Sequence, residues 1–173
     1  MVEFSYTDFL NTDLGRWLDE RLKANQADVV HDLLAYLAEQ MIAMNKEKQR
    51  EVKGFLTWLE REIGAKVDDL TNKTKLQSYH DHDLETVIAT LRQNRRRLRA
   101  NPDARAFQEA LQREFAASVA KLTPLKQKIA LTDGLIDQIV YRLYGLTPDE
   151  VATVEKAAAR APVTETLNPF TIP

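Results

Sequence analysis

Apolar residues recur at steps of three and four along most of this chain, the spacing that lines one face of an α-helix. The longest such run predicts a rod from about Asp28 to Ile63, with Val30, Leu34, Leu37, Met41, Met44, Val52, Phe55, Leu59 and Ile63 on its seam and Lys48 interrupting it. At about 1.5 Å per residue, such a helix is on the order of 50 Å long and needs a partner of similar length. A second run, about residues 103 to 144, supplies one: Phe107, Leu111, Phe115, Val119 and Leu122, then Leu125, Ile129, Leu135, Ile136, Ile139, Val140 and Leu143. Pro124 falls inside it, and proline lacks the N–H that a helix interior uses, so the pattern predicts a kink or a fresh start there. The expected fold is all-α: a long antiparallel helical hairpin, coiled-coil-like, with shorter helices packed on it.

Punctuation sets the other boundaries. Residues 1 to 10 read as an irregular lead-in or a short strand. Asn11, Thr12 or Asp13 can cap a helix whose face is Leu14, Trp17, Leu18 and Leu22. Gly64 is placed to end the first rod in a left-handed conformation. Residues 65–82 form a polar connector, after which Asp81 or Asp83 caps a helix carrying Leu84, Val87, Ile88, Leu91 and Leu98. Asn101-Pro102 stops that helix and starts the second rod, with proline at its first position. Gly145 ends the rod, and Thr147-Pro148-Asp149-Glu150 is a capping box for a last helix with Val151, Val154 and Ala158. The elements make one domain over residues 1–160, and residues 161–173 read as a flexible tail.

Composition narrows the chemistry more than it reveals it. The 173 residues contain no cysteine, which removes disulfides and thiolate zinc sites. No apolar run approaches a membrane span, and the N-terminus lacks the pattern of a signal peptide, so the cytoplasm is the expected location and no membrane the expected partner. Glycine-rich phosphate loops and nucleophile elbows are missing. His80-Asp81-His82-Asp83 offers metal-ligating side chains, but alternating in a loop with no partner motif, and a helix-capping loop explains them more simply. His31 reads as a surface or partly buried residue. Asn168-Pro169-Phe170 matches part of an adenine-methylation motif without the rest of it.

Charge is more telling. The net charge is -2, yet residues 46–128 hold 18 Lys+Arg against 12 Asp+Glu. Basic residues are densest at Arg95-Arg96-Arg97 with Arg99, and Lys73 and Lys75 lie upstream. Such groups can neutralise nucleic-acid phosphates, or they can form a solvated face paired with acids.

Three stretches, LLAYLAEQMIAMNKEKQREVKGFLTWLEREIGA, LTNKTKL and LTDGLIDQIVYRLYGLTPDEVATVE, together resemble the C-terminal helical region of type IIG-like adenine-specific DNA methyltransferases, the single-chain restriction–modification enzymes and their phage-exclusion relatives. The resemblance covers roughly residues 5 to 155, and its most specific piece is IVYRLYGLTPDE. It implies long helices that brace a methyltransferase core and a target-recognition part, and that sit against DNA. It implies structural roles for Trp58, Leu59, Tyr141, Tyr144, Gly145, Thr147 and Glu150. The family's catalytic residues, and the site for S-adenosylmethionine, lie in a core that these residues do not include, so no catalytic residue and no cofactor is carried over. The expectation is a non-catalytic scaffold in which Lys73, Lys75, Arg95, Arg96, Arg97 and Arg99 contact DNA phosphates. The alternative is an interaction module that forms a homodimer or docks on a partner through its seam, without touching DNA.

Overall fold

A computed structural model describes residues 5–160; residues 1–4 and the expected tail at 161–173 lie outside the described part. The fold is all-α. In order, the helices are α1 (Tyr6–Leu10), α2 (Asp13–Lys23), α3 (Ala27–Ile63), α4 (Lys73–Gln77), α5 (Leu84–Gln93), α6 (Arg105–Leu143) and α7 (Pro148–Arg160), with single 3-10 turns at Val67–Asp69, Tyr79–Asp81 and Arg95–Arg97. Segments of α3 and α6 pack on one another as the antiparallel hairpin that their seams require. The chain divides into two compact units: residues 38–133, and the two ends together, up to residue 37 and from residue 134.

Within the 38–133 unit, Phe55, Leu59 and Ile63 of α3 meet Leu111 and Leu122 of α6, and Leu76, Tyr79, Val87, Ile88 and Leu91 close the same core. Phe55 and Tyr79 stack with ring centroids 3.9 Å apart, and Phe115 meets both rings edge-on. The Tyr79 hydroxyl is satisfied inside this core by the buried Ser118 hydroxyl at 2.5 Å. Glu51 and Lys121 pair across the two long helices at 3.2 Å. Within the unit formed by the ends, Tyr6, Phe9, Leu18, Val30, Ile139 and Val151 are buried together. Arg142 of α6 donates to the Asp19 carboxylate of α2, and Tyr6 meets Tyr141 edge-on.

Several boundaries differ from the sequence expectation for local reasons. Residues 6–10 form a helix, neither irregular nor a strand, because Ser5 and Asp8 make a capping box that satisfies the first amides. The connector is a string of short helical turns whose apolar residues, Val67, Leu70, Leu76 and Tyr79, all enter the core. α5 stops at Gln93, short of Leu98, since Asn94 turns its side chain back onto the backbone. Pro102 sits in the turn before α6, which begins at Arg105. α6 runs through Pro124 without restarting; there Thr123 donates its hydroxyl to the Val119 carbonyl.

The caps otherwise follow the reading. Thr12 and Asp83 accept from the amides of Gly15 and Thr86. Gly64 and Gly145 adopt φ +65° and +68°, which a side chain disfavours. The Thr147–Glu150 capping box forms in both directions: Glu150 accepts from the Thr147 amide at 2.8 Å, and Thr147 accepts from the Glu150 amide.

Candidate functional site

The basic cluster owes its shape to one buried amide. Asn94 is 3% exposed, and such a side chain is costly unless every polar atom is paired. Its Oδ1 accepts from the Thr71 amide at 2.8 Å, and its Nδ2 donates to the carbonyls of Thr71 at 3.0 Å and Thr90 at 2.9 Å. Next to it, the Asn72 amide group donates to Gln93 at 2.9 Å. This clasp ties the segment before α4 to the end of α5. The next three residues, Arg95–Arg97, then form a 3-10 turn with no buried side chain. Thr71, Gln93, Asn94, Arg95, Arg96 and Arg97 line a shallow groove of about 340 Å³.

The three arginines differ in commitment. Arg95 lies 3.3 Å from Asp103, which also pairs with Arg92 at 2.7 Å. Arg97 donates to the Asp69 carbonyl. Arg96 is exposed, and its charge has solvent as its surroundings. Two arginines are thus steadied by light contacts and one is open, with a rim of amide groups between them.

The other expected contacts are placed differently. Lys73 opens α4 beside the clasp and pairs with Asp68 at 3.6 Å. Lys75 is exposed on α4, outside the groove. Arg99 belongs to the end of α3: its amide donates to the Ile63 carbonyl at 2.8 Å and its side chain lies over Gly64. That contact satisfies a carbonyl which the helix terminus leaves unpaired, and puts positive charge at the negative end of the helix. Of the six expected contacts, Arg95, Arg96 and Arg97 line the groove and Lys73 lies beside the clasp.

The histidines sit apart from that groove. The His80 side chain is 8% exposed, and its Nδ1 lies 3.2 Å from Asp81 Oδ1 without the alignment of a hydrogen bond. Burial pushes its pKa down, against the pull of Asp81 and with help from Lys126 and Lys48. Lys126 holds the Asp81 carboxylate. His82 lies 3.4 Å from the Ser78 hydroxyl. Among the described residues no three His, Asp or Glu side chains gather as metal ligands.

Of the residues singled out by resemblance, Leu59 is fully buried and Trp58 packs at the edge of the same core. Tyr141 packs against the core of the other unit, while Tyr144 is largely exposed. Sequence reasoning missed Asn94, Thr71 and Ser118. For Asn94 and Ser118 the signal is weak, a polar residue at a position where the periodicity asks for an apolar one; Thr71 joins through its backbone alone and has no side-chain signal.

Residues 23–140 match the family described as "Domain of unknown function (DUF8810)", which is more than half of the chain. The chain belongs to this family. Its matched span contains the whole arginine turn, the clasp, all of α3 and α6 up to its last three residues. None of the curated proteins and none of the solved structures matches the chain.

Proposed function

We propose that this chain is a non-catalytic helical scaffold that contacts DNA through its phosphates, serving an adenine-specific DNA methyltransferase of a restriction–modification or phage-defence system. The observation that carries the DNA part is the arginine turn held by the Asn94 clasp. Guanidinium groups match phosphate oxygens in a two-pronged geometry. A turn fixed at both ends presents them with little ordering left to do. The methyltransferase part rests on the resemblance of the α3, connector and α6–α7 sequences. In this reading a methyltransferase core or a target-recognition part, in the same chain or another, is the partner. Sequence choice comes from that partner, because phosphate contacts position DNA without specifying it. S-adenosylmethionine and the reaction belong to the core.

The test is fluorescence anisotropy with a labelled random-sequence duplex at low and moderate salt. Binding should weaken steeply with salt, with a log–log slope of about -3 for three phosphates neutralised. Replacing Arg95, Arg96 and Arg97 together by glutamine should abolish it. Salt-independent binding, or none at low salt, contradicts the proposal.

A second reading, docking on a partner or a second copy, is favoured by one observation. In the antiparallel register marked by Glu51 and Lys121, Ile42 and Leu131 stand near the same level, and they are 54% and 75% exposed. A self-association that grows with concentration and is lost in an Ile42→Ser, Leu131→Ser variant supports it. A monomer throughout, by sedimentation, counts against self-association.

A further inference from the structure

The arginine turn has an acid beside it. Asp103 stands in the loop between that turn and α6, and its two carboxylate oxygens are divided between two arginines. Oδ1 accepts from Arg92 Nε at 2.7 Å, and Oδ2 accepts from a terminal nitrogen of Arg95 at 3.3 Å. A phosphate, with its spread acceptor oxygens, makes the same kind of bridge between guanidinium groups. Arg92 lies in the last turn of α5, where a cation also suits the negative end of the helix. That role needs no carboxylate, so the bridge to Asp103 is a separate feature.

The two sides of the bridge differ in freedom. Asp103 is short and its backbone is fixed. Its amide donates to Asn101 Oδ1 at 3.1 Å, Pro102 before it is buried, and the Pro102 carbonyl accepts from Gln108 of α6 at 3.0 Å. The arginines are long, and the side chains of Arg92, Arg95 and Asp103 are each about half exposed. Ion pairs so open to water are weak and are screened by salt. A row of anions can therefore draw the arginines away while the carboxylate stays in place. The DNA backbone is such a row.

We propose that Arg92 is a fourth phosphate contact and that Asp103 is a built-in competitor, holding Arg92 and Arg95 in the free chain until phosphates take its place. This rests on the DNA reading above and says how the grip of that surface is restrained. It also fixes the ion count. Binding engages Arg92, Arg95, Arg96 and Arg97 but returns the Asp103 carboxylate to solvent, where it regains a cation. The parent's salt dependence then corresponds to about three net charges, the same as for the turn alone, and removing the carboxylate raises it to about four.

The test repeats the duplex titration against salt with Asp103→Asn, Arg92→Gln, the two together, and Glu85→Gln. The last removes the same charge from an exposed site in the first turn of α5. Thermal unfolding verifies that each variant keeps its fold. Asp103→Asn should bind several-fold more tightly at low salt and steepen the log–log slope by about one unit. Arg92→Gln should weaken the parent, and should cancel the gain when added to Asp103→Asn. Glu85→Gln should leave the slope as it was. If the parent binds and Asp103→Asn shifts neither affinity nor slope, or shifts them no more than Glu85→Gln does, the competitor role is overturned and the DNA reading stands. If neither the parent nor Asp103→Asn binds the duplex, both fall.

Discussion

The two units share α3 and α6 but are built to different standards. The 38–133 unit buries thirteen apolar side chains in one cluster, and its buried polar residues Asn94, Ser118 and Thr90 are all hydrogen-bonded, while His80 Nδ1, buried 3.2 Å from Asp81, is not. Among the described residues, the unit made of the two ends buries six, and the Tyr6 hydroxyl, Arg21 Nε and Gln138 Oε1 lie buried within it without a hydrogen bond. A larger apolar core and fuller polar pairing both favour the folded state, so the first unit is the stable platform and the second the part that opens more readily. The basic turn is carried by the platform. A surface whose shape depends on a buried amide is best placed where that amide is least often exposed.

Truncating the platform's core gives the largest effect expected from this contrast. Leu59→Ala should cost about 2–5 kcal/mol by urea unfolding, and Leu18→Ala in the smaller core should fall at or below the lower end of that range. Amide exchange in the parent should show faster opening in residues 5–37 and 134–160 than in the core segments around Leu59, Leu91 and Leu111. Uniform protection would remove the distinction between platform and ends.

Asn94→Ala comes next. It leaves the Thr71 amide and the Thr71 and Thr90 carbonyls without their partner, at about 1–3 kcal/mol, and it loosens the arginine turn. Thermal unfolding should show the loss, and DNA affinity should fall even though no charge has been removed. A destabilised protein with undiminished affinity would mean that the clasp is structural only. Gly64→Ala should cost about 1–2 kcal/mol, since its φ is positive and a Cβ there would meet the Arg99 side chain within 3 Å. Gly145→Ala, with the same φ sign and open space around it, should cost less.

The smallest effect is confined to alkaline pH. Burial raises the pKa of Tyr79 to about 12 in spite of its bond to Ser118. The folded protein therefore holds that proton more tightly than the unfolded chain does. Its contribution is complete below about pH 10 and is lost as pH rises from there towards 12. Tyr79→Phe should flatten that part of the stability curve, and a spectrophotometric titration should lose its most alkaline tyrosine transition in that variant.

Much of this architecture was legible in the residues. The seams, the two glycine stops and the Thr147–Glu150 capping box follow from periodicity and local hydrogen bonding, and each formed at its expected place. What escaped was tertiary. The connector's polar run hides that Val67, Leu70 and Tyr79 enter a shared core, because pairs such as Val67–Leu70 and Leu76–Tyr79 are too short to stand out as a helical stripe. Pro124 signalled a kink or a restart, and the restart does not occur: α6 continues through it. The basic residues drew attention as a group, but packing sorted them, sending Arg99 to the end of α3 and leaving Arg95–Arg97 on the groove. Asn94 has no signature beyond being polar where the pattern asks for an apolar residue.

The central claim is that the platform holds an arginine turn against DNA phosphates. It is tested most directly by measuring duplex affinity against salt for the parent chain and for the Arg95, Arg96, Arg97→Gln variant, with amide exchange confirming that the variant keeps its core. The account predicts a steep salt dependence in the parent and loss of binding in a folded variant. A folded variant that binds with the parent's affinity and salt slope would contradict it.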